Sequence, residues 1–475
     1  MDEELKRLMD LLKSDPEKAI AEIRKTSKDV DAIANYIKEY REEDRSQRDG
    51  QVGVIQRDKS LAGNKIQKMV KIYINHAQNI VETLSAFIIG KPVTLIPSED
   101  NNLSELVKQI WRVNRIDSKI LKSTIVKLSQ TQVAMNFYIN DIEPNSILNK
   151  ILVSLKLKAQ AKEIKVKVLD NTTGVMTPYF DSAGNMILFM WQYSTSSDGQ
   201  TINHVEIWDE TTKFYLNDES SKMIIIESPP HGFDRIPMVY DDQRDPQWYP
   251  VKSPVDRHEV ALSKLGDAND YSGHPILITE GEVVGMPTKD ESGKHFNIPI
   301  KYDDEGNEIK GKVSFLEAKT APESNKLEIE KLEDIISYGS SVPNLSLNKL
   351  KDLGNVAEKT VKLMFLGTEL KAELMRSNTR TFIERCLNVL ISGITKTTNT
   401  SLATEGQTLY YDIHFNSILP SDIAERVETV TKAVDSGLMS KETGIGLIDL
   451  VEDIKDEMDK IALETKIKDP VEPIE

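Results

Sequence analysis

From Ile66 onward, the apolar positions Ile66, Met69, Val70, Tyr73, Ala77, Ile80, Val81 and Leu84 recur three and four residues apart, which is the stripe of a buried helix. The pattern predicts one helix over 64–90, closed by a left-handed Gly90 and by Pro92, which cannot continue it. Upstream, Leu5, Leu8, Leu11 and Leu12, then Ile20 and Ile23, then Val30, Ile33, Ile37 and Tyr40 mark narrow stripes on highly charged helices. Such helices pack on something else or on a neighbouring subunit. Further helices are expected over 103–114 and from Ser118 to about Val133. The period then drops to two: "AMNFYIN", "KEIKVKVLD", "MILFMWQYS" and "HVEIWDE" read as strands, with "FDSAGNMI" and "SSDGQT" as glycine-bearing hairpin turns.

The pattern shifts again at Tyr249. Pro254 suits a first helical turn, with Val255, Leu262 and Leu265 on one side. Residues 273–321 return to short strands whose hairpin tips are "KDESGK" and "YDDEGNEIKGK"; a second helix then carries Ile329, Leu332 and Ile336. A small β unit is thus held between two helices. After "SVPNLSLNKLKDLGNVAEK" a very long helix is expected from near Val356. Leu363, Gly367, Leu370 and Leu374 lie on one face of it, and Phe382, Cys386, Val389 and Gly393 continue in a second register. At about 1.5 Å per residue it would exceed roughly 50 Å, with a kink at Gly367 or near Ser377. "TLYYDIHFN" reads as a strand, and Ser421 caps a helix bearing Ile423, Val427, Val430 and Val434 that Gly437 stops.

Composition narrows the class. A chain of 475 residues needs more than one core. Its 39% apolar and 29% charged residues are those of a soluble globular protein. The net charge of -16 argues against general coating of DNA or anionic membrane. Cys386 is the only cysteine, so no intrachain disulfide or cysteine-based zinc site forms, and a reducing compartment fits. The opening "MDEELKRLMD" is no signal peptide, and no apolar run approaches the roughly 20 residues that span a bilayer.

A search for catalytic constellations returns nothing specific. Gly90-Lys91-Pro92 lacks the spacing and hydroxyl of a phosphate loop, and "GIG" at 444–446 has no dinucleotide-binding context. His76 lies beside an apolar helical face, as a satisfied structural histidine does. "DDEGNE" at 303–308 is acidic like a calcium loop but lacks its ligand alternation, so it reads as a hairpin tip. "DANDY" at 267–271 offers paired carboxylates for metal-dependent phosphoryl chemistry or, more simply, a polar helix end. The lysines of 150–167 suit a basic patch and solvated faces equally well. No cofactor is expected, and no enzymatic role.

The order of elements, together with particular stretches, resembles the portal proteins of siphophage-type tailed bacteriophages. Four stretches carry the resemblance in sequence: "FIIGKPV"; "PPHGFDRIPMVYDDQRD" at 229–245; "SVPNLSLNKLKDLGNVAEK"; and the ending "ILPSDIAERVETVTKAVDSGLMSKETGIGLIDLVEDIKDEMDKI". It covers about 64–460. "LGNVAE" departs from the family's Ser-Gly before alanine, and Gly444 and Gly446 sit where better helix formers are usual.

The resemblance implies a multi-domain α+β portal fold. Its parts would be a helical N-terminal arm at 1–50, a wing at 51–251, stem helices at 252–271 and 322–341 around a clip at 272–321, and a tunnel loop at 342–357. A long wing helix and strand at 358–417 and a helical crown at 418–475 would complete it. Copies would form a ring, of about twelve in this family, at one capsid vertex of the virion after assembly in the host cytoplasm. Double-stranded DNA would pass through it during packaging and ejection. The large terminase subunit, a head-tail adaptor, and the major capsid and scaffolding proteins would be its partners, with no membrane involved. Asn344, Asn348, Lys349, Lys351 and Asp352 would face DNA. Lys289, Asp290, Glu291, Lys294, Asp303, Asp304 and Glu305 would meet motor or adaptor. Gly90 and Pro92 would form a structural turn. Two competing readings are a metal-dependent nucleic-acid enzyme using Asp241 and Asp267, and a non-viral scaffold sharing the helix order.

Overall fold

The computed structural model describes residues 3–41, 59–61, 65–67, 69–142, 150, 162–197, 199–219, 222–272, 276–280, 300–302, 304–306, 308–309, 312–316, 322–344, 362–419, 423–448, 457–458 and 460–463. The chain forms two compact units: Met1–Asn344 with Gly367–Asn416, and Leu345–Leu366 with Ser417–Glu475.

The larger unit opens with α1 (Glu3–Ser14), α2 (Pro16–Arg24) and α3 (Val30–Tyr40). The side chains of Asp15 and Asp29 cap α2 and α3 by accepting from free backbone N–H groups. A short hairpin pairs β1 (Lys59–Leu61) with β2 (Lys65–Gln67). Next come α4 (His76–Ile89), β3 (Thr94–Pro97), α5 (Asn102–Val113) and α6 (Ile116–Gln130). The single helix expected over 64–90 is therefore only its second half. Asn75 caps α4 through Gln78 N, and residues 69–75 run outside any helix or strand. The alternation of Val70, Ile72 and Ile74 is the period that governs there. At the other end Gly90 has φ −70°, so the corner is not left-handed; Gly90 N donates to Ala86 O at 2.7 Å, and the Pro92 carbonyl accepts from Asn416 Nδ2 at 2.8 Å.

Two antiparallel sheets follow. β4 (Gln132–Asp141) and β5 (Lys162–Leu169) belong to a three-stranded sheet, and β6 (Val175–Phe180), β7 (Met186–Ser197), β8 (Gln200–Trp208), β9 (Lys213–Asn217) and β10 (Ile224–Glu227) to a five-stranded meander. β11 (Met238–Asp242) returns to the edge of β4. The near-continuous apolar run of β7 has a reason: both its faces are covered. Leu188 and Met190 join Val205, Ile207, Phe214 and Leu216 beneath Leu8, Leu12, Ile20 and Ile23 of α1 and α2. Phe189 and Trp191 join Trp208, Ala134, Leu169, Met238 and Tyr240 on the other face. The N-terminal arm thus covers its own chain's sheet.

α7 (Lys252–Ser272) and α8 (Pro322–Ser340) enclose a ladder of β12 (Ile276–Glu280) with β15 (Lys312–Leu316) and a short pair of β13 (Lys301–Tyr302) with β14 (Glu308–Ile309). α9 (Leu366–Gly393) has 28 residues, about 42 Å, and is helical through Ser377; the turn lies at Phe365, just before Gly367. A π turn over Ile394–Thr398 ends it. Gly393 sits so close to Phe233 that an added Cβ would lie 2.5 Å from the ring. β16 (Tyr411–His414) then pairs with β3. In the smaller unit, α10 (Ile423–Asp435) and α11 (Lys441–Ile448) are joined through Gly437 at φ +73°. There Gly444 serves packing: a Cβ would meet Val430 and Val434 at 3.0 Å. Among the described residues no helix is long and apolar enough to cross a membrane.

Arg376, near the middle of α9, fixes the corner after α4. Its guanidinium donates to Glu369 Oε1 at 2.9 Å, Glu373 Oε2 at 2.6 Å and the Phe87 carbonyl at 2.6 Å. Phe87 lies in the last turn of α4, whose carbonyls have no helical partner. Arg376→Ala removes three charge-assisted hydrogen bonds and is expected to cost about 2–3 kcal/mol, with Arg376→Lys recovering less than half, since an ammonium lacks the planar fork. Equal denaturant midpoints for the two variants would contradict this account.

Candidate functional site

The two helices flanking the β ladder form an antiparallel pair. Val251 lies against Gly339, His258 near Glu333 at 3.9 Å, and Arg257 Nε donates to Glu328 Oε1 at 2.7 Å. The foot of α7 is clamped by the N-terminal arm: buried Glu39 of α3 accepts from Lys252 Nζ at 2.5 Å and Trp248 Nε1 at 3.1 Å. Along the shaft, alternate backbone N–H groups of the extended 70–74 segment donate to side chains one helical turn apart. Val70 N reaches Asp267 Oδ1 at 2.7 Å, Ile72 N reaches Ser263 Oγ at 3.0 Å, and Ile74 N reaches Glu259 Oε1 at 3.1 Å. Positions 259, 263 and 267 are spaced four apart and so share one face of α7, while residues two apart in an extended chain point the same way. The match of these two repeats replaces a missing β partner for the strand-like segment.

His258 is buried between these elements. Its Nδ1 lies 3.2 Å from His76 Nε2 at the start of α4. Burial pushes the His258 imidazole below the ordinary histidine range, against the opposing pull of Glu333. His76 therefore has the structural role expected of it, in a pair the sequence did not announce.

The exit of α8 is equally committed. Thr368 Oγ1 donates to Ser341 O at 2.6 Å, and Lys371 Nζ donates to Ser340 O at 3.0 Å, at the electronegative helix end. Burial lowers the pKa of Lys371. Asn344, expected to face DNA, donates its amide to Glu333 Oε2 at 2.9 Å. Asn348, Lys349, Lys351 and Asp352 lie outside the described residues, as do Lys289, Asp290, Glu291, Lys294 and Asp303. Asp304 and Glu305 are exposed at the turn between β13 and β14, where Gly306 takes φ +85°.

Apolar side chains stay uncovered on two helices. On α8, Leu327, Ile335 and Tyr338 share one face with Lys331, and Tyr338 is 90% exposed. On α9, Leu370 is 61% and Leu374 79% exposed, and Leu363 before it is 69% exposed. Among the described residues nothing covers Leu370 and Leu374; the covered face of the first half of α9 holds Thr368, Ala372 and Arg376.

The carboxylates nominated for metal chemistry are structural. Asp241 accepts from Lys127 Nζ at 2.6 Å, and Asp267 holds Val70 N. Among the described residues no three His, Cys, Asp or Glu side chains gather as metal ligands. Cys386 is buried, and burial raises its thiol pKa far above the usual range.

The site is thus a braced helix pair tipped by a strand ladder, with apolar faces left open. Residues 23–470 match the family described as "Phage portal protein, SPP1 Gp6-like", and the chain belongs to that family. Its function is accordingly that of a phage portal, a ring-forming structural component of the capsid vertex. A solved structure, "Neck of empty GTA particle computed with C6 symmetry", is similar over 79% of this chain and 89% of that one, at 12% identity and a TM-score of 0.38. Comparison with curated proteins gave no match.

The structural role of Asp267 is testable. Asp267→Ala strands a backbone donor and is expected to cost about 1–3 kcal/mol in urea unfolding. Asp267→Asn keeps the accepting oxygen and should cost less than half as much. If both cost the same, the oxygen at this position does not hold Val70.

Proposed function

We propose that α7 and α8 line the channel of a homo-oligomeric ring of about twelve copies through which double-stranded DNA is packaged and ejected. On this reading residues 272–321 are the clip that meets the large terminase subunit and then a head-tail adaptor, with Asp304 and Glu305 at one exposed tip. Residues 51–251 are the wing, 342–357 the tunnel loop, 358–417 the long wing helix and strand, and 418–475 the crown. Gly90 and Pro92 make the turn of the wing. Major capsid and scaffolding proteins surround the ring in the virion, and assembly takes place in the host cytoplasm.

The observation that carries the reading is the antiparallel helix pair with an open apolar face on α8. Burying Leu327, Ile335 and Tyr338 against a neighbouring copy would stabilise each contact by several kcal/mol, at about 25 cal/mol per Å². Covering the exposed leucines of α9 would add to that. Lys349 and Lys351 supply weak, sequence-independent phosphate contacts. Asn344, tied to Glu333, sets the start of that loop.

Negative-stain microscopy of the purified chain should display closed rings with a central hole. Ile335→Glu with Tyr338→Glu should abolish rings while circular dichroism stays that of the parent. A wild-type protein that is monomeric at high concentration would overturn the reading. Lys349→Glu with Lys351→Glu is expected to impair DNA packaging or retention and leave the rings intact; normal packaging by that variant would remove both lysines from the mechanism.

A further inference from the structure

A basic cleft lies away from the helix pair, where α5 gives way to α6. It has a volume of about 480 Å³, and its lining includes Arg115, which caps the start of α6, Ser118, Lys119 and Lys122 of α6, and Lys165 from β5. The four positions are spaced three and four apart, so they form one ridge over the start and first two turns of α6. Lys165 closes the cleft from the adjoining strand. The positive end of a helix of 15 residues adds to their field.

The local charges do not balance. Lys122 reaches Asp170 at 3.4 Å, and Lys165 reaches Glu163 at 2.7 Å. The nearest other acid, Asp117, is occupied: its two oxygens accept from Val93 N at 3.3 Å and Trp111 Nε1 at 2.9 Å. Among the described residues no carboxylate meets the guanidinium of Arg115 or the ammonium of Lys119. Lys119 is half-buried, and burial, with the charge of Lys165, pushes its pKa down. Arg115 itself sits at φ +51°, where asparagine or glycine would fit without strain. A chain of net charge -16 thus gathers four cations around one cleft and leaves two unmatched.

We propose that this cleft binds phosphate groups of the DNA backbone, at a site separate from the channel-lining helices. The rim favours nucleic acid over an acidic protein. No aromatic side chain lines it, and its one apolar lining residue is Val113, whereas protein interfaces have an apolar, aromatic core. Cationic contact without base-reading groups is the chemistry of backbone recognition.

The test is a salt titration of the full-length protein with a short fluorescein-labelled duplex, read by anisotropy. The variant is Arg115→Asn with Lys119→Met, which removes two charges, suits the backbone at 115 and relieves repulsion at 119. Its melting temperature should equal or exceed that of the parent. Affinity for the duplex at about 50 mM salt should fall about tenfold, and the slope of log K against log salt should shrink by about 1.8, the value for two lost contacts. Inorganic phosphate should compete with the duplex on the parent more strongly than on the variant. An unchanged duplex affinity and slope would overturn the proposal, and so would loss confined to inorganic phosphate. Ring formation scored on the same samples keeps the portal reading separate: rings with unaltered DNA binding sink this site alone.

Discussion

One guanidinium sets the geometry that the larger unit depends on. Arg376 is only 7% exposed, and it holds two carboxylates of its own helix and a carbonyl of α4, 289 positions away in sequence. A buried cation is tolerated only when its charge is paired; here two carboxylates and a carbonyl meet the two terminal nitrogens, while Nε has no partner among the described residues. The bond to the Phe87 carbonyl fixes α9 against the end of α4. From that placement the chain leaves α4 into β3, which pairs with β16 beyond the long helix. Earlier in α9, Lys371 binds the last carbonyl of α8 and Thr368 that of Ser341 just beyond it. The same helix thus holds the corner after α4 and the exit of α8.

The helix α7 is held differently. Three backbone donors along residues 70–74 engage three successive turns of α7, and Glu39 secures its foot. Backbone donors buried without partners would cost more than the bonds return, so the segment and α7 specify each other's position. α7 is thus held from its foot along most of its length and α8 at its exit, and Arg257–Glu328 joins the two. That last pair is largely exposed and contributes little. The rigidity comes from buried polar contacts at the body, and the open apolar faces remain available for association.

Much of this architecture is legible in the sequence because its periods are unambiguous. The strands of the meander, the hairpin glycines Gly184 and Gly199, and the two helices around the small β unit follow from alternation and spacing. Residues 66–74 mislead because Ile66, Met69, Val70 and Tyr73 satisfy a helical period while Val70, Ile72 and Ile74 satisfy an extended one. The tie is broken by α7, nearly 200 residues later. The leucines at 363–374 mislead for another reason: a single chain offers no sign that an apolar face awaits another copy. Of the site, the ladder and its exposed tip were foreseeable. The commitments of Asp241, Asp267 and Asn344 were not, since each rests on a partner fixed only by the fold.

Association in a ring changes what weak contacts accomplish. A single surface cation near a phosphate contributes about 1 kcal/mol or less in water, too little to hold DNA and too little to stall it. Repeated around a ring, such contacts keep the duplex centred, because any displacement weakens some as it strengthens others. The acidic balance of the chain serves the same end by lowering the attraction of every surface not specifically basic. A portal must grip its own copies firmly and its cargo loosely. On the proposed reading, exposed apolar faces would meet the first requirement and sparse exposed cations the second, while buried polar contacts hold each copy's own helices in place.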